Sequence, residues 1–129
     1  MASGNTKVIS GNDRQAIGCS VRCLRSVSPS ESSHPDGTIY TNDYTGNDGT
    51  KYDSVKIGNQ IWINKNLKET KYCDGTTIPR ITDATAWASD TTGARCEYNN
   101  NLYNESDTYG YLYNWHAVVQ AKGLINEDI

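Results

Sequence analysis

The chain has 129 residues, enough for one small domain, and its net charge of −3 comes from 12 basic and 15 acidic side chains spread along it. The apolar share is 36%, below the usual ~45–50%. Phenylalanine is absent, so nine tyrosines and three tryptophans must supply most of the bulky burial. No basic stripe is present to neutralise phosphates, which argues against nucleic-acid binding, and no apolar run approaches the ~18 residues of a transmembrane span.

In chain order, residues 1–18 are polar, with Val8 and Ile9 as an isolated apolar pair. The first seven residues lack the apolar core of a signal peptide, so the expectation is a cytosolic chain or one whose export signal lies upstream. Over Gly18–Arg25, Cys19, Val21 and Cys23 alternate with Ser20, Arg22 and Leu24, which predicts a half-buried strand. At ~3.3 Å per residue the two cysteines stand ~13 Å apart, beyond the ~7 Å limit for a mutual disulfide.

Residues 26–50 read as linker and loop, rich in Ser, Pro, Asn and Asp-Gly, with the boundary near Val27 to Ser33. Only Thr38–Tyr40 reads as a short strand there. The most strand-like stretch is Ser54–Leu67. Val55 and Ile57 alternate with Ser54 and Lys56, Ile61 and Ile63 flank Trp62, and Gly58-Asn59 signals a hairpin turn. Trp62, the largest apolar group in it, is the expected core anchor.

An Asp-Gly turn follows within Lys71–Pro79, then a single helical turn over Thr82–Ala88 capped by Thr82 or Asp83. Thr92–Tyr98 reads as a strand and Asn99–Asn104 as a polar loop. The main helix is expected over Tyr111–Lys122, where Leu112, Trp115, His116 and Val119 fall at i, i+3, i+4 and i+7 and Gly123 supplies the stop. The tail 125–129 carries no element.

Val55-Lys-Ile-Gly-Asn-Gln-Ile-Trp-Ile-Asn-Lys-Asn-Leu-Lys, then Thr70-Lys-Tyr-Cys-Asp-Gly-Thr-Thr-Ile-Pro, resembles the Fibrobacter succinogenes major paralogous domain. So do Thr91-Thr-Gly-Ala-Arg-Cys-Glu-Tyr-Asn-Asn and Tyr109-Gly-Tyr-Leu-Tyr-Asn-Trp-His-Ala-Val, so the resemblance spans roughly residues 50–124. Asp13–Arg25 resembles the closing strand of that family, with Cys19 where an aromatic is usual. The resemblance implies an α+β, C-type-lectin-like fold of short antiparallel hairpins with one main helix, shared with formylglycine-generating enzymes. It also implies a secreted or cell-surface setting of the kind found in Bacteroidetes and Fibrobacteres.

On that pattern, residues 1–28 form a closing-strand-like segment, 29–50 a linker and 51–129 the first half of a domain. The unit is then incomplete or permuted. Residues 18–25 are expected to pair with 54–63, or a second copy is expected to complete the fold.

Four cysteines in a small polar chain of this kind suggest disulfides. The open pairings are Cys19–Cys73 with Cys23–Cys96, or Cys19–Cys96 with Cys23–Cys73; free buried thiols are the alternative. A zinc site lacks a second close ligand pair. Asp36, Asp43, Asp48 and Asp53 lack calcium-loop spacing and read as turn formers.

For cysteine–histidine catalysis, His116 reads as a core histidine and His34 as a solvated one. No cofactor is indicated. Tyr98, Asn100, Tyr103 and Tyr109 are the candidate ligand-binding residues, because tyrosine offers a sugar ring an apolar face and a polar tip. Tyr111 and Tyr113 read as core substitutes for the missing phenylalanine. The expectation is a non-catalytic binding or adhesion module for a glycan or surface protein. A cysteine-dependent enzyme and a structural assembly module are the alternatives.

Overall fold

The computed structural model describes residues 17–100, 109–120 and 123–124. The readings of Val8 and Ile9, of Tyr103 and the loop to Asn104, of Ala121 and Lys122, and of the tail 125–129 lie outside the described residues. The strands are β1 (Leu24–Ser26), β2 (Ile39–Thr45), β3 (Lys51–Ile57) and β4 (Gln60–Ile63). Helix α1 (Ala84–Ser89), β5 (Arg95–Glu97), β6 (Tyr111–Tyr113) and α2 (Trp115–Val118) follow. Among the described residues the architecture is α+β: a four-stranded antiparallel sheet in the order β1-β4-β3-β2, a two-stranded β5-β6 ribbon, and the short helices α1 and α2.

The expected hairpin is β3–β4, turning at Gly58-Asn59, where Gly58 takes a φ of 60°. Which of its faces is buried differs from what side-chain polarity suggests. Tyr52, Ser54 and Lys56 point inward and are buried, whereas Val55 is half-buried and Ile57 is 55% exposed. The inward polar groups have partners: Ser54 Oγ donates to Asp43 Oδ2 at 2.6 Å, and Lys56 Nζ lies 3.4 Å from Asp36 Oδ1. A buried polar group with a partner loses little on leaving water, so the strand can take this phase.

Trp62 is correspondingly not the core anchor. Side chains alternate across a strand, so Ile61 and Ile63 occupy the inner face at 1% and 4% exposure while Trp62 lies half-buried on the other. Each inner isoleucine contributes roughly 1.5–3 kcal/mol by its burial. Directly opposed positions give an outer apolar row, Leu24–Trp62–Val55–Ile39, across all four strands.

Three further expectations are corrected. The stretch 29–50, read as linker and loop with only Thr38–Tyr40 as a short strand, contains the longer β2, whose polar Thr-Asn-Asp sequence hides a strand that among the described residues pairs on one side only, with β3. The strand expected over 18–25 is regular only from Leu24. The alternation survives upstream of it: Val21 and Cys23 are buried and Ser20 and Arg22 exposed, with backbone bonds to Leu67 and Ile63. As expected of this segment, β1 pairs with β4.

The helix expected over 111–122 is confined to Trp115–Val118 among the described residues, because Tyr111–Tyr113 pairs with β5 and Asn114 caps the helix after it. The smaller elements follow their signals. Asp83 caps α1 by accepting from the Ala86 N–H at 2.8 Å, and the Asp-Gly turn closes with Tyr72 N–H donating to Thr76 O.

The core gathers Val21, Cys23, Ile63, Leu67, Ile78, Ala117 and Leu124 around four tyrosines, Tyr44, Tyr52, Tyr72 and Tyr113. Tyrosine does take the place of phenylalanine, and its hydroxyl then needs a partner. Tyr113 donates to Glu69 O and accepts from Glu69 N–H. Tyr52 donates to Glu69 Oε2 at 2.5 Å and accepts from Lys68 N–H.

Candidate functional site

One end of the β5–β6 ribbon carries the most distinctive surface. Tyr98 leaves β5 in a short 3₁₀ turn over Tyr98–Asn100, and Tyr109 precedes β6. Because β5 and β6 run in antiparallel register, the two tyrosines meet: their ring centroids lie 5.4 Å apart at 58°. Both are about half exposed, at 49% and 48%. An aromatic pair open to solvent is an unusual use of apolar surface in a chain with so little of it.

Asn66 holds the Tyr109 backbone at this surface. Its Nδ2 donates to Tyr109 O at 2.9 Å, and its Oδ1 accepts from Arg22 Nε at 2.8 Å. Gly110 permits this approach. It takes a φ of 69°, and a Cβ there would meet Leu67 O at 2.6 Å and Asn66 Cβ at 2.8 Å. Three distant segments, around residues 22, 66 and 109, thus converge on one polar–aromatic surface.

Beside it lies an open cleft of about 230 Å³ lined by Gly18, Ile81, Trp87, Cys96, Asn100 and Leu112. Asn100 joins the cleft to the 3₁₀ turn that bears Tyr98; it holds a φ of 53° and donates from Nδ2 to Thr82 O. Gly18 forms part of the wall because a Cβ would stand 3.0 Å from the Trp87 ring and 3.1 Å from Leu112 Cβ. The cleft is therefore aromatic and apolar on its walls, with an amide at its edge.

With this surface in place, the comparisons locate the chain among known proteins. The Fibrobacter succinogenes major domain model matches residues 55–128. The chain belongs to that family. No curated protein and no solved structure matches the chain. Asn66, Tyr98 and Tyr109 fall inside the matched residues, whereas Arg22, β1 and β2 lie before them. The sheet of this Fibrobacter succinogenes major domain is thus completed by strands upstream of the family match.

Of the residues singled out in the sequence, Tyr98, Asn100 and Tyr109 come together, and Tyr103 lies outside the described residues. Tyr113 is core; Tyr111 is half-buried beneath Arg95, whose guanidinium carbon sits 4.6 Å from the ring centroid. Asn66 and Arg22 escaped the sequence reading. They are 44 residues apart, and no local pattern marks an asparagine that bridges two segments.

Neither of the expected disulfide pairings among Cys19, Cys23, Cys73 and Cys96 is formed. Burial, with the Glu69 charge adding to it, pushes the Cys23 thiol up to about 12. Burial also raises Cys19 and Cys96. Among the described residues no group of three or more His, Cys, Asp or Glu side chains can hold a metal ion.

The loop aspartates are occupied by the fold. Asp36 accepts from Gly58 N–H, Asp43 from Ser54 and Arg25, Asp48 from Thr50 and Thr70, and Asp53 from Asn42 N–H. His34 Nδ1 lies 2.7 Å from the Tyr40 hydroxyl, on the surface. His116 is half-buried in α2. No helix of the described residues is long and apolar enough to cross a membrane.

Among the described residues Glu69 is the strongly perturbed carboxyl deep in the fold. It is 0% exposed, its Oε1 accepts from Asp48 N–H and its Oε2 from the Tyr52 hydroxyl. Burial raises it to about 7, against the pull of those hydrogen bonds. For Asp48 burial acts in the same direction but the bonds from Thr50 and Thr70 prevail, holding it at about 2. A pair of carboxyls pushed apart in this way resembles an acid/base couple. Sealed from solvent, Glu69 has no route to a substrate and serves to join the β2–β3 turn to the segment after β4.

Proposed function

We propose that this domain is a non-catalytic, glycan-binding module of a secreted or cell-surface protein, with a C-type-lectin-like organisation. The observation that carries the reading is the exposed Tyr98–Tyr109 pair, with the Tyr109 backbone bonded to Asn66 and the Trp87 cleft alongside. Aromatic faces stack on the C–H faces of sugar rings, and the neighbouring amide and hydroxyl groups hydrogen-bond sugar hydroxyls. The raised thiols of Cys19, Cys23 and Cys96 argue against those three as nucleophiles, which need a lowered thiol. The test is a glycan array followed by titration of Tyr98→Ala and Tyr109→Ala. Binding that both variants lose, with melting temperatures near that of the parent chain, supports the reading. The absence of any glycan ligand overturns it.

A second reading, self-assembly, is favoured by the outer row Leu24–Trp62–Val55–Ile39. The row and the neighbouring Ser26–Gln60–Ile57 contain no charged residue. Two copies could therefore stack these faces without burying like charges. Light scattering of the chain and of Trp62→Lys tests it: a dimer that the variant converts to monomer supports assembly, and a monomer at all concentrations removes it.

A further inference from the structure

Four arginines lie among the described residues, and three of them face carboxylates. Arg25 pairs with Glu31 at 2.7 Å and with Asp43 at 3.1 Å. Arg80 and Arg95 share the buried Glu97, at 2.8 Å and 3.7 Å. Arg22 differs. It is exposed, its Nε is held by the neutral amide of Asn66, and among the described residues it has no ion pair.

Asn66 is also the residue that holds Tyr109. With the Arg22 Nε–Asn66 Oδ1 and Asn66 Nδ2–Tyr109 O bonds at 2.8 Å and 2.9 Å, the guanidinium Nε lies within about 8 Å of the Tyr109 backbone oxygen. That span is of the order of one or two sugar rings.

We infer that Arg22 is the specificity-determining residue of the Tyr98–Tyr109 surface, and that the surface selects a saccharide bearing a carboxylate, of the uronic acid type. This inference rests on the glycan-binding reading and names its ligand class. The physical argument is the state of the guanidinium. A fork whose Nε is anchored by an amide keeps its two terminal amino groups for an incoming oxyanion, and the anchor limits the rotamer freedom lost on binding. An arginine already paired to Asp or Glu would have to break that pair first; Arg22 does not. The chain as a whole carries a charge of −3, so attraction of an anion must come from this local group rather than from the net field.

The test is calorimetric titration of the full chain with a galacturonic acid trisaccharide and with the neutral galactose trisaccharide, at low and high salt, repeated with Arg22→Gln. A hydrogen bond to a charged group predicts at least about a tenfold preference for the acidic sugar. That preference should shrink with salt in the parent chain and vanish in Arg22→Gln. The salt dependence of the parent chain tests the charge without any variant. Equal binding of the two sugars, or a preference that Arg22→Gln retains, overturns the role of Arg22 and leaves the aromatic reading standing. Failure of both sugars to bind overturns this inference, and if array binding is absent as well the glycan reading falls with it.

Discussion

The Tyr52 hydroxyl stands 2.5 Å from Glu69 Oε2, and the glutamate has no exposure to solvent. Tyr52 comes from β3 and Glu69 from the segment after β4, so the contact ties the sheet to the loop on which Tyr113 also rests. The carboxyl end of this contact has a consequence for stability.

Burial raises Glu69 from 4.5 to about 7. A folded-state value above the unfolded one means that the folded protein holds the proton more tightly. The associated stability is complete below pH ~4.5 and is lost as pH rises through about 7, by about 3 kcal/mol in all. Asp48 has the opposite sign: held at about 2, its contribution is present above pH ~4 and lost as pH falls toward 2. Urea unfolding should therefore show greatest stability near pH 4–5. In Glu69→Gln the decline between pH 4.5 and 8 should largely disappear, and an unchanged decline would place its origin elsewhere.

Asn114 is 1% exposed and its side chain makes three hydrogen bonds: Oδ1 accepts from Ala117 N–H at 2.9 Å and Ala94 N–H at 3.0 Å, and Nδ2 donates to Asp90 at 2.8 Å. It thereby caps α2 and binds that helix to β5 and the loop before it. Asn114→Ala should cost about 2–4 kcal/mol, because it leaves buried donors without partners. Denaturant titration measures this directly, and a loss under about 1 kcal/mol would show that the site relaxes or admits water.

Gly110→Ala should disturb both the fold and the candidate surface. The added Cβ meets Leu67 O and Asn66 at less than van der Waals distance, and the residue keeps a φ of 69°. The expected loss is about 1–3 kcal/mol. The Asn66–Tyr109 bond should weaken with it, seen as a shift of the Asn66 side-chain amide signals in an NMR spectrum. A variant with unchanged stability and spectrum would mean that this approach is not tight.

Thiol chemistry should rank the four cysteines. Cys73 is exposed, whereas Cys23 is 7% exposed and raised to about 12. Iodoacetamide at mildly alkaline pH should label Cys73 first and Cys23 last, with Cys23 modified only as the chain unfolds. Mass mapping of the labelled peptides reads the order, and early modification of Cys23 would contradict the packing described.

Several elements were legible because short-range chemistry specifies them. Gly58-Asn59 turns the chain whatever surrounds it, Asp83 finds the N–H three residues on, and the Asp74-Gly75 turn closes locally. The alternation around Cys19–Cys23 likewise marked the face that became buried. Polarity misled where distant partners intervene. Ser54 and Lys56 face inward because Asp43 and Asp36 meet them, and β2 could pass as a linker because its sequence is polar and, among the described residues, it pairs on one side only. The 3.6-residue spacing over Leu112–Val119 suggested a helix; β5 claims Tyr111–Tyr113 first, and a short helix remains.

By itself the sequence determined the family, the α+β class, the hairpin and turns, and the use of tyrosine in the core, all of which depend on residues near one another in the chain. It also named Tyr98, Asn100 and Tyr109 as candidates. Only the tertiary structure decided which face of β3 is buried, that Glu69 is sealed against Tyr52, and that Arg22, Asn66 and Tyr109 form one surface. Those outcomes depend on contacts between residues 11 to 44 positions apart. Loop closure brings such residues together only when the whole core forms, so no local pattern encodes them.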